Sequence, residues 1–156
     1  MYEDLPTITD LDGVTRLMER PPRGEELFLR WSMGPAVDLC DDDGGSSRDS
    51  LTGVSLPGLS ASPLAVEAWW GDRSARLWAA RRLYDYGHLR ERGERPWILA
   101  GDDCGRGPDN EPLVRCRRPV AWVADEAVAE ALGLVEEQPS SNWGPLDRDA
   151  SRSQSQ

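Results

Sequence analysis

The sequence predicts an α+β domain, a small mixed or split β-sheet with flanking helices. Three observations carry this expectation. Apolar residues recur at helical spacing near 11–18, 74–86 and 125–133. Between them lie short alternating or continuous apolar runs at 27–32, 96–100 and 119–123, which read as strands. Glycine and proline punctuate almost every junction. A chain of 156 residues is long enough for one core of its own. Residues 1–137 are expected to form that single globular unit and residues 138–156 a disordered polar tail with one large apolar residue, Trp143, as a weak docking point.

In chain order, Thr9 or Asp10 caps a helix carrying Leu11, Val14, Leu17 and Met18 on one stripe, and Pro21-Pro22 ends it. Pro22-Arg23-Gly24 then turns the chain into Leu27-Phe28-Leu29-Arg30-Trp31-Ser32. Strand alternation sets Leu27, Leu29 and Trp31 on one face and Phe28, Arg30 and Ser32 on the other. A guanidinium on a largely buried strand is costly without an anionic or carbonyl partner. Glu67 and Glu111 are the internal candidates, and a phosphate-bearing ligand is the external one.

Residues 38–50 are polar and glycine-rich and read as an exposed loop. Asp41, Asp43 and Gly44 fit positions of a calcium loop, but Leu39 and Ser50 stand where its end carboxylates belong. Residues 51–59 read as extended but interrupted. A short strand through Leu59 and Ser60 is expected to run into a helix capped by Ser62, with Pro63 in its first turn and Gly71 as its stop. The next helix, 74–86, presents Ala75, Trp78, Ala79, Arg82, Leu83 and Tyr86 inward and Arg76, Arg81 and Asp85 outward. After a strand over 96–100, residues 101–110 read as a turn-rich loop. Glu111 opens a strand through Val114, 119–123 forms a separate last one, and Asp125 caps a helix that Gly133 ends.

Composition removes several classes of function. All 18 basic residues are arginine, so neither a Schiff-base lysine nor a P-loop lysine is present. One histidine, His88, excludes multi-histidine metal sites and weighs against a Ser-His-Asp hydrolase, and Ser60 and Ser62 lack the nucleophile elbow. Net charge −10 opposes a nucleic-acid backbone or an anionic membrane as partner. Cys40, Cys104 and Cys116 make no C-x-x-C pair, and the acidic N-terminus has no apolar core, so a cytoplasmic location is expected. Gly105 and Gly107 begin a dinucleotide fingerprint that Asn110 breaks.

Arg30 in the first strand, Ser60-Ala61-Ser62 ending the next, and Glu111 opening a later one stand in an order that resembles the arginine-serine-glutamate group of ADP-ribosyltransferases. That resemblance implies NAD as cofactor. Arg30 and Ser62 would bind it, Ser60 would steady the nicotinamide pocket, and Glu111 would stabilise the oxocarbenium-like transition state. Asp109 replaces the Glu or Gln that commonly stands two residues before the catalytic glutamate, so the resemblance implies, instead of transfer to an arginine side chain, either an NAD glycohydrolase or an inactive relative. The runs TGVSLPGLSASPL, WW, RLWAARRLYDYGHL and GRGPDNEPLV are similar to an uncharacterised domain family of high-GC bacteria, over about residues 5–135. The sequence therefore leaves two readings: an acidic, non-enzymatic interaction protein with an unknown protein partner, or an NAD-using transferase or glycohydrolase built on Arg30, Ser60 and Glu111. No metal is expected.

Overall fold

The computed structural model describes residues 4–39, 58–106 and 112–139, together with Trp143. The elements are β1 (Thr7–Ile8), α1 (Leu11–Glu19), β2 (Leu27–Ser32), α2 (Pro35–Asp38), β3 (Leu59–Ser60), β4 (Ser62–Pro63), α3 (Ala75–Asp85), β5 (Arg95–Arg106), β6 (Pro112–Val123) and α4 (Asp125–Glu136). The α+β expectation holds. Among the described residues, no helix is long and apolar enough to cross a membrane.

The sheet runs β1-β6-β5-β2-β4, with β3 on β6 and β1 parallel to β6. Three antiparallel strands, β2, β5 and β6, make its centre. Beyond them the sheet curls. Leu59 and Ser60 pair with Val114 and Leu113 of β6, whereas Ser62 and Pro63 pair with Leu29 and Phe28 of β2. Only Ala61 separates the two pairings, so this segment bridges the outer edges of β6 and β2 and closes the curl. That enclosure carries a small core of Phe28, Leu59, Ala61, Trp97, Leu99, Val114 and Cys116. The larger core lies on the opposite face, where Leu29, Trp31, Ile98 and Ala121 meet α1, α3 and α4.

β2 alternates as its sequence requires. Leu27, Leu29 and Trp31 enter the helical core, and Phe28 enters the enclosed one. Pro35 follows at the first position of α2, because its fixed φ suits a helix start. Gly34 makes the joint at φ 116°, and a Cβ there would stand 2.6 Å from the Trp122 ring. Helix α1 takes its N-cap from Asp10, whose carboxylate accepts from Gly13 N at 2.7 Å. Ser74 caps α3 in the same manner.

Several expectations are corrected. Ser62 caps no helix. It is buried in β4, and the chain turns only briefly helical at Ala68–Trp70, since sheet closure outweighs the local Ser-Pro preference. β5 continues through Arg106 where a loop is expected after Ala100, because β6 pairs with it that far. Register shifts between Ile98/Leu99, Ala100/Gly101 and Asp103/Gly105 absorb the residues that break the alternation. The two late strands are one, Pro112–Val123, with Pro119 inside it at such a shift. Gly133 does not stop α4, which runs to Glu136, and Asp125 sits in its first turn behind the uncapped Ala124.

Arg81 and Asp85 do not face away from the core. Arg81 is buried, paired with Asp85 at 2.7 Å, and its guanidinium lies 4.8 Å from the Trp143 ring centre. Trp143 itself is 3% exposed and stacks on Trp70 with centroids 6.2 Å apart. The rest of the expected tail beyond residue 139 lies outside the described residues, as do residues 40–57.

Candidate functional site

Arg30 stands on the enclosed face of β2, and α2 brings Asp38 to meet it. Nε donates to Asp38 Oδ2 at 2.7 Å and Nη2 approaches Oδ1 at 3.4 Å, while Nη1 donates to the Ser60 carbonyl at 2.8 Å. The two side chains are 14% and 10% exposed. Glu67, proposed from sequence as a partner, is exposed and accepts from the Trp69 indole instead. Glu111, the other candidate, lies outside the described residues, as does Asp109.

The pair belongs to a network. Ser32 Oγ donates to Asp38 Oδ2 at 2.5 Å and accepts from Trp97 Nε1 at 2.9 Å and from the Gly34 amide at 3.0 Å. β2 thus presents Arg30 and Ser32 two residues apart on one face, and a single carboxylate from the next element satisfies both. Such a charge-assisted arrangement is stronger than neutral hydrogen bonds and fixes α2 against the curl. Cys116 lies nearby in the enclosed core. Burial, together with the Asp38 carboxylate, pushes its thiol up to about 11. A thiol in that state is not a nucleophile at neutral pH.

Of the residues expected to form an NAD site, Arg30 and Ser60 come together, but through the Ser60 carbonyl. Ser62 is 5% exposed and its backbone pairs with Leu29. Asp38 is the residue that sequence reasoning missed. Its signal was Gly34-Pro35, a helix start in front of Val37 and Leu39, which the acidic run after it obscured. Among the described residues, no cluster of three His, Cys, Asp or Glu side chains can hold a metal ion.

A second feature lies between α1 and β6. It is a groove of about 660 Å³, walled by Ile8, Leu17, Pro22, Pro119, Val120 and Ala121 among others. Arg16, Arg20 and Arg118 line it too. Arg118 is held by Glu25, through Nε at 3.0 Å and Nη2 at 2.7 Å. No carboxylate among the described residues pairs with Arg16 or Arg20, and both are exposed. The arrangement offers an apolar wall with two unneutralised guanidinium groups, in a chain of net charge −10.

No curated protein matches this sequence, and no solved structure matches the fold. A family model does match, over residues 1–144, and its boundary falls one residue after the buried Trp143. The chain belongs to that family, described as a family of unknown function (DUF6098).

Proposed function

We propose that this protein is a non-enzymatic interaction domain. The observation that carries this reading is the occupation of the Arg30 guanidinium. Nε and Nη2 face Asp38 and Nη1 faces the Ser60 carbonyl, so its charge is matched within the protein. An NAD-binding arginine needs that same fork for phosphate oxygens. Ser62, buried in strand pairing, adds no accessible hydroxyl to such a site. Seven tryptophans are accounted for largely by packing, with Trp70, Trp78 and Trp97 fully buried. A cytoplasmic setting forms part of the same proposal, supported by the free thiols of Cys104 and Cys116.

The test is incubation of the full chain with NAD, read by thermal shift and by mass spectrometry for released nicotinamide. We expect neither a shift nor a product, and no difference between wild type and Glu111→Gln. Nicotinamide release by wild type that Glu111→Gln abolishes would overturn the interaction reading in favour of the NAD-using enzyme.

A further inference from the structure

We propose that the groove between α1 and β6 docks an acidic, apolar peptide segment of a partner protein. This deepens the interaction reading and rests on it. Arg16 lies in the last turn of α1 and Arg20 is its C-cap, whose backbone N–H donates to the Arg16 carbonyl at 3.0 Å, and both line the groove. Both exposed guanidinium groups stand at an apolar wall of Leu17, Pro22 and Val120. Of the acidic residues nearest in sequence, Asp10 caps α1, Asp12 pairs with Arg76 and Glu25 with Arg118, and Glu19 forms no ion pair with either arginine. Arg118 is the contrast, since its charge already meets Glu25 and its stem serves as wall.

The wall chemistry selects the occupant. Two guanidinium groups at one apolar wall match a segment that carries carboxylates beside apolar side chains, the acids meeting the arginines and the apolar groups resting on the wall. The groove lining contains no aromatic ring, so nothing there stacks a nucleobase. Net charge −10 repels an anionic bilayer as a whole, whereas one short acidic segment meets only the local positive pair. A partner peptide satisfies both conditions.

The probe is a short fluorescein-labelled peptide in which paired glutamates alternate with paired leucines, titrated against the full chain by fluorescence anisotropy. We expect saturable binding that weakens as salt rises. The double variant Arg16→Gln/Arg20→Gln should weaken it by about tenfold or more, and Arg92→Gln, an exposed arginine outside the groove, should leave it unchanged. Peptides with leucine replaced by serine, or glutamate by lysine, should not bind. Circular dichroism of the variants should match wild type, because both arginines are exposed, Arg16 in the last turn of α1 and Arg20 at its C-cap.

No binding of the probe, or equal binding by the double variant, overturns the proposal. So does binding of the serine-substituted peptide with equal affinity, which reduces the site to charge alone. Preferential binding to phosphatidylglycerol vesicles would overturn it in favour of a lipid surface. These outcomes are separate from the nicotinamide assay. A failed peptide titration with no NAD turnover removes the groove and leaves the interaction reading in place.

Discussion

Arg30 and Asp38 face each other through two contacts, Nε to Oδ2 at 2.7 Å and Nη2 to Oδ1 at 3.4 Å, across the joint between β2 and α2. Removing one partner leaves a mostly buried charge unmatched, which is more damaging than removing both. Asp38→Asn is expected to destabilise the protein by about 2 kcal/mol in urea denaturation, below the fully buried case because the pair retains some solvent contact. Arg30→Met combined with Asp38→Leu should recover much of that loss. A double variant as unstable as the sum of its singles would show that the pair is not coupled.

Trp143 closes the aromatic group of Trp70 and Trp78 and lies beside the Arg81 guanidinium. Trp143→Ala removes a buried indole, for a loss of about 3 kcal/mol. Shortening the chain to end after residue 139 should cause a similar fall in melting temperature. A chain ending after residue 144 should melt like the full protein. Equal melting of all three would contradict the packing of Trp143.

The raised Cys116 pKa has a defined sign. Its neutral thiol is favoured in the folded state, so the associated stability is complete below the ordinary value of 9.0 and is lost as pH rises toward about 11. Across that window wild type should lose up to about 2–3 kcal/mol more than Cys116→Ala does. At neutral pH, mass-mapped iodoacetamide labelling should modify half-buried Cys104 and spare Cys116 until the protein is unfolded.

Two glycines should respond oppositely to alanine. A Cβ on Gly101 would stand 2.6 Å from the Arg115 carbonyl oxygen and from a Val114 methyl, across the β5–β6 pairing. Gly101→Ala should therefore destabilise by about 1–3 kcal/mol. At Gly133 a Cβ meets nothing within 4 Å, and the residue lies inside α4. Gly133→Ala should stabilise by about 0.5–1 kcal/mol, as helix propensity predicts. Thermal melts of the two variants decide both.

What the sequence made legible was local. The bounds of β2 and the start of α1 depend on neighbours a few residues away: β2 stands where periodicity puts it, and of the two cap candidates Thr9 and Asp10 it is Asp10 that caps, while Ser74, expected inside its helix, proves to be the cap of α3. Elements decided by distant pairing were missed. Ser62-Pro63 carries a helix-start signal that curl closure against β2 overrides, and Asp102 to Arg106 hold turn residues that β6 draws into a ladder. Arg30 was recognisable as a charge needing a partner. Its partner was not, since Asp38 opens an acidic run that resembles a solvated loop. The groove arginines show no signal at all in one dimension, because their lack of partners is a property of the assembled surface.

The bridge at Ala61 has a consequence for the order of assembly. Leu59 and Ser60 need β6 already present, while Ser62 and Pro63 need only β2, and β6 is made long after both. Half of the bridge can find its place early in synthesis, whereas the other half must wait for residues 113 and 114 to emerge. Until then Phe28, Trp97 and Leu59 lack the wall that later covers them. Closure of the small core thus depends on pairing between residues more than fifty positions apart, the non-local kind of contact that slows folding.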